Sequence, residues 1–205
     1  MKPTQSIFII LTLLLISNCG DKVREEITER YDDNRRKVVL KFIGEGSEEV
    51  MVEKISYSQS GDTLIWENYN SKGERDGKWI FYYENGNIKG RGKYINGDGS
   101  DISEISGISR NGRDGKWTFY YENGQLESEV NYKDGKLDGK YTPYYENGQI
   151  EVERNHKDGK EDGKWTFYFE NGQIMGEENY KDGEKDGKKI GYFENGQIIS
   201  EGNYK

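Results

Sequence analysis

The stretch DGKWTFYYENGQLESEVNYKDGKL, residues Asp114–Leu137, decides the fold, because its landmarks return three times downstream. Asp-Gly-Lys stands at 114, 138, 162 and 186, a constant step of 24 residues. An upstream copy opens at Asp76, 38 residues before Asp114, so that copy carries an insertion of 14 residues beyond the period. A fixed period in this range marks a repeat array, in which each unit buries its apolar face only against its neighbours.

Within the unit, Asn123-Gly124 separates two alternating runs and predicts a hairpin with a two-residue type I′ turn. That turn pairs Tyr121 with Leu126, Tyr120 with Glu127, Phe119 with Ser128, Thr118 with Glu129 and Trp117 with Val130. Strand periodicity then sends Trp117, Phe119, Tyr121, Ser128 and Val130 to one face and Thr118, Tyr120 and the glutamates to the other. The fourth repeat sorts Trp165 and Phe167 in the same way, and the first places Trp79 opposite Gly92 and Phe81 opposite Gly90. A small residue opposite each central ring leaves room for that ring to lie across its neighbour. Helices are excluded, because Gly and Asn-Gly interrupt every helical period. The expected fold is all-β: an elongated, solenoid-like antiparallel meander of β-hairpin repeats with no large helical domain. Pro143 holds the slot of Phe119 and cannot donate to a ladder. The two-residue turn aims its missing N–H at the preceding repeat and predicts a local bulge or weak seam between the second and third units.

Outward from the repeats, Lys37–Ile43 and Val50–Tyr57 read as a hairpin, and Thr63–Tyr69 as part of a degenerate repeat. Residues 37–75 are therefore expected to cap five repeats over 76–205, with the insertion at about 95–110 as a surface excursion. The charged segment 19–36 reads as a tether. Before it, Lys2 and the apolar run Ile7–Ile16 have the form of a signal peptide over 1–18, too short for a membrane-spanning helix. The run ends at Ile16-Ser17-Asn18-Cys19, which resembles a bacterial lipobox and marks Cys19, the one cysteine, for lipidation. The expected location is the bacterial cell envelope, lipid-anchored, on its periplasmic or surface-exposed side.

Low hydrophobicity with a third of residues charged has the composition of a disordered chain, but the periodic aromatics overrule that reading. Removing residues 1–18 removes one charge, Lys2, and takes the formal charge from −8 to −9. An acidic chain lacks the basic footprint of a nucleic-acid binder, so no nucleic-acid partner is expected, and membrane attachment falls to the anchor.

Catalytic chemistry finds little material. His156 is the one histidine and occupies the slot of Tyr132, Tyr180 and Tyr204, a packing position. Each Asp of the turn ladder precedes Gly, as tight turns require, so neither a metal nor another cofactor is expected. Glu127/Glu129, Glu151/Glu153 and Glu177/Glu201 line an open sheet face, where nothing separates their acidities as a glycosidase pair requires. The aromatic face is the better functional clue. Trp79, Trp117, Trp165, Phe81, Phe119, Phe167 and Tyr121 form the expected binding surface if the single sheet leaves them uncovered. The last strand, ending at Tyr204-Lys205, reads as an open edge.

These landmarks resemble the MORN-type repeat, in the bacterial variant that reads roughly Gly-x-Trp-x-x-Tyr-Tyr-x-Asn-Gly-x-Leu-x-x-Glu-x-x-Tyr-x-Asp-Gly. The stretches concerned are Gly77–Gly97, Gly115–Gly135, Gly139–Gly159, Gly163–Gly183 and Gly187–Tyr204. The resemblance implies an elongated β-meander, and proteins with these repeats are commonly labelled YwqK-type antitoxins. The function expected is a non-catalytic envelope lipoprotein acting as a protein-interaction or scaffolding module. Two alternatives stand beside it: a carbohydrate- or cell-wall-binding module, and the antitoxin that the resemblance implies. The expected partners are an unknown protein, a toxin included, or an envelope glycan.

Overall fold

A computed structural model describes residues 13–15, 23–102 and 108–205. Cys19 lies outside the described residues, as does most of the expected signal peptide. The strands are β1 (Leu13–Leu15), β2 (Val23–Arg30), β3 (Arg36–Ile43), β4 (Val50–Tyr57), β5 (Thr63–Asn68) and β6 (Arg75–Tyr82). They continue as β7 (Ile88–Gly97), β8 (Arg113–Tyr120), β9 (Leu126–Lys133), β10 (Lys136–Pro143), β11 (Val152–Lys157) and β12 (Lys160–Glu161). The last are β13 (Gly163–Tyr168), β14 (Ile174–Lys181), β15 (Glu184–Lys185), β16 (Gly187–Tyr192) and β17 (Ile198–Tyr204). The fold is all-β, an open antiparallel meander of hairpins in which strands pair with their sequence neighbours. The segment read as a tether is different: Val23–Arg30 pairs with β3 along its length and extends the sheet.

The pairing within the unit matches expectation away from the turn. Trp117 pairs with Val130, Thr118 with Glu129 and Phe119 with Ser128, but Tyr120, not Tyr121, pairs with Leu126 across a register shift. The turn explains this. The Tyr121 N–H donates to Gln125 O at 2.8 Å and the Gly124 N–H to Tyr121 O at 2.9 Å, while Gly124 alone of the pair has positive φ, +86°. That is a three-residue loop, a type I turn followed by a left-handed glycine. Its extra residue is offset by a bulge at Glu127, so two irregularities cancel and the ladder returns to the expected register. The same bonds close Tyr31–Arg35, Ser58–Asp62 and Asn70–Glu74, so the N-terminal hairpins share the repeats' turn. Two-residue turns with positive φ at both centres occur at the other end of the hairpins, at Asp134-Gly135, Asp158-Gly159 and Asp182-Gly183.

The true turn also reverses the side that Pro143 affects. Its carbonyl accepts from the Glu151 N–H at 3.0 Å, and within a strand a residue's N and O face the same neighbour. The missing N–H therefore faces its own hairpin, where β10 and β11 share three ladder pairs and the isolated bridge Tyr144–Ile150. Beside Pro143 the seam to the preceding repeat is paired: Pro143 pairs with Ser128, and the Tyr144 N–H reaches Glu127 O at 2.9 Å. The register shift in this seam falls between Leu137 and Tyr141, and the seam between β7 and β8, which has no proline, is shifted as well.

Candidate interaction surfaces

The aromatic face is closed over much of its length. Trp79 and Trp117 are 0 % exposed and Phe119 and Trp165 7 %, while Phe81, Phe167 and Tyr121 are half-buried. The expected binding surface is thus mainly core. Trp117 stacks on Phe119 at 5.9 Å and meets Tyr94 edge-on at 4.9 Å, which lets a single sheet bury rings by covering each with the next. Glycine makes this close approach possible: a Cβ on Gly92 would stand 2.1 Å from the Trp117 ring, and one on Gly90 2.9 Å from Phe119. The indole N–H groups of these three tryptophans donate to carbonyls of the strand they pack on, Trp79 to Asn68, Trp117 to Lys93 and Trp165 to Asn155. The hydroxyl of Tyr121 donates to Tyr144 O at 2.7 Å, and those of Tyr83 and Tyr145 tie their repeats to the next in the same way.

Sequence reasoning missed the arginines. Arg75 lies 4.5 Å over Trp79, Arg113 4.7 Å over Trp117 and Arg154 4.9 Å over Trp165. Such stacking keeps an apolar stem on the ring while the guanidinium satisfies the quadrupole. Arg-Asp-Gly recurs at 75 and 113, a signal from which two of the three were legible. Arg113 is buried, bonding Ser109 O, Ile108 O and the Tyr132 hydroxyl. The insertion is consequently part of the core and not a free excursion, because it brings Ile108, 3 % exposed, onto the rings.

The stripe breaks at the third repeat, where Tyr141 stands in the tryptophan slot and Pro143 in the phenylalanine slot. A groove of about 470 Å³ opens there along β9, floored by Phe119, Val130, Tyr132, Leu137 and Tyr141. Glu127, in the bulge, lines one end, and desolvation pushes its carboxyl above the usual carboxylate range. Lys136 lines the other. His156 packs between Tyr141 and Trp165, as its slot implies, and burial lowers its pKa.

On the opposite face, Glu129, Glu153, Glu177 and Glu201 bind Lys116, Lys140, Lys164 and Lys188 at 2.5–2.7 Å. The lysines of the Asp-Gly-Lys triplets at 114, 138, 162 and 186 therefore neutralise the glutamates that strand alternation brings beside them. Among the described residues no three His, Cys, Asp or Glu groups gather as a metal site.

The family profile described as MORN repeat variant matches residues 75–96, 113–134, 137–158, 161–182 and 185–205. No curated protein matches the chain.

Proposed function

Because this chain belongs to the MORN repeat variant family, whose repeats generally mediate protein or membrane interactions, we propose that it is a non-catalytic protein-binding module of the bacterial envelope. In this reading Cys19 carries the lipid anchor and the array stands off the membrane as a scaffold. The observation that carries the reading is the groove along β9. The motif's own rings, hydroxyls and turns are consumed in joining repeat to repeat, and at the third repeat substitutions in two motif slots leave a groove over the half-buried Tyr132, Leu137 and Tyr141. Burial of an apolar floor flanked by charges at its ends is how protein partners are anchored and oriented. A glycan-binding reading is weakened because Trp79 and Trp117 lack an accessible face to stack on a sugar.

The test is photo-crosslinking in the native envelope from a reporter placed at Leu137, with mass spectrometry of the adduct. The expected result is a discrete protein adduct at Leu137 that is absent with the same reporter at Gln173. Crosslinks to lipid or glycan alone would sink the proposal. A globomycin-type block of lipoprotein processing tests Cys19: accumulation of the unprocessed precursor is expected, and an unaltered chain would remove the anchor.

A further inference from the structure

On the face opposite the rings, the second to fifth repeats share a two-slot pattern: Glu129 with Asn131, Glu153 with Asn155, Glu177 with Asn179 and Glu201 with Asn203. Each glutamate holds its lysine, as described. Asn131, Asn155 and Asn179 donate to Lys140 O, Lys164 O and Lys188 O of the next repeat. In the first repeat the same slots are Arg91 and Lys93. The register is conserved, since Lys78 pairs with Lys93 and Ile80 with Arg91 as Lys116 pairs with Asn131 and Thr118 with Glu129.

This exchange is unfavourable for the fold. Lys78 faces a like charge directly across the ladder, a destabilising arrangement, where its counterparts face asparagine with a glutamate beside it. The repeat also forgoes the side-chain tie from this strand to the next. Among the described residues no carboxylate forms an ion pair with Lys78, Arg91 or Lys93, in a chain of formal charge −8. These three side chains are exposed and line a depression of about 530 Å³ together with Ile80 and Thr118. Two further charged groups line it: Lys116, already held by Glu129, and Asp114, the ladder partner of Lys93, which leaves the cations in excess.

We propose that this depression is a phosphate-binding site. Residues two apart on a strand stand about 7 Å apart and directly opposed residues about 5 Å, so the three cations are within reach of one small anion, Arg91 by turning from the Tyr120 ring that its guanidinium overlies at 5.5 Å. A phosphate group offers the charge and the several acceptor oxygens to engage all three, with Arg91 as a bidentate donor and the lysines as point charges. A carboxylate, with a single charge, would balance only one of the three cations. The site lies on the opposite face from the groove along β9 and does not rest on the function proposed for that groove. Its ligand comes from one of two sources, a soluble phosphate or a phospholipid headgroup.

The variant Arg91→Glu with Lys93→Asn restores the pattern of the other four repeats, so it is expected to fold with equal or higher melting temperature. Wild type and variant are titrated with pyrophosphate and, separately, co-sedimented with phosphatidylcholine vesicles with and without phosphatidylglycerol, all at low salt. At least one probe is expected to bind wild type at least tenfold more tightly than the variant, and raised salt is expected to weaken that binding. Pyrophosphate binding alone assigns a soluble ligand, and phosphatidylglycerol-dependent sedimentation assigns a headgroup. Equal affinity of wild type and variant for both probes, or binding of neither, overturns the site. Lys78→Gln provides a second variant with the same expected loss.

Discussion

In the second repeat, Trp117 and Phe119 lie over Gly92 and Gly90 beneath Ile108 and Arg113; in the third, Tyr141 and Pro143 hold the same slots, over Val130 and Ser128, and the face stays open. One motif thus produces a sealed core and a groove within a few strands of each other. The difference lies in complementary volumes: a large ring needs a glycine beneath it, and a residue with a side chain there needs a smaller neighbour above. Trp165 obeys the same rule differently, because it packs on the flat guanidinium of Arg154. A repeat therefore sets where side chains stand, and pairs of slots in adjacent units decide whether the surface closes.

The strongest way to break this comparison is to remove the rings. Trp117→Ala should cost about 4 kcal/mol in urea unfolding, as buried aromatic truncations do. Trp165→Ala, outside the insertion's cover, should cost at least about 1 kcal/mol less; equal costs would mean that the insertion adds nothing. Next in size is Gly92→Ala, whose Cβ would stand 2.1 Å from the Trp117 ring. A loss of about 2 kcal/mol is expected from overpacking. Gly202→Ala, where nothing lies within 4 Å of the new Cβ, should change stability by less than about 0.5 kcal/mol.

Pro143→Phe should convert the third repeat toward the second. The restored N–H adds a bond to β11 worth about 1 kcal/mol, and amide exchange in Val152–Lys157 should slow. Unchanged exchange there, with slowing in β9 instead, would show that the proline acts on the preceding seam. The smallest effect belongs to His156, whose buried Nδ1 has no hydrogen-bond partner among the described residues. Its pKa is lowered, chiefly by desolvation, with Arg154 adding to the shift and Glu161 opposing it. The unfolded chain therefore binds the proton first as pH falls below about 6.5. The sign follows: this contribution is complete above that pH and is lost on acidification. His156→Tyr, which restores the residue of the four sibling repeats, should abolish this acid-dependent loss between pH 7 and 5 and raise stability at neutral pH by up to about 1 kcal/mol. An identical pH profile for the variant would show that the histidine does not titrate on folding.

Much of the fold was legible because strand pairing has period two and the landmarks recur. Trp117 with Val130 and Phe119 with Ser128 were readable from spacing alone, as was the small residue opposite each central ring. The turn type was not. Asn-Gly favours a two-residue type I′ turn locally, but the hairpins adopt the three-residue alternative and recover register through the bulge at Glu127, a compensation visible only once both strands are in place. The side affected by Pro143 was misread for the same reason. The N-terminal hairpins were partly legible, yet Val23–Arg30, rich in charge, was read as a tether; its charges are matched by neighbouring segments, as where Arg24 binds Glu49 and Glu29 binds Lys37.

The sequence by itself determined the unit, its period, the antiparallel pairing and the face on which each residue stands, because these depend on local alternation and turn residues. It also held the first repeat's exchange of Glu and Asn for Arg91 and Lys93, whose meaning needed the register of the neighbouring strands. Only the tertiary structure decided that the tryptophans are core, that the insertion and the arginines cover them, and that the face reopens over Leu137 and Tyr141. Those outcomes depend on which side chains of adjacent strands come to lie over one another, and strand twist and packing volume settle that in three dimensions.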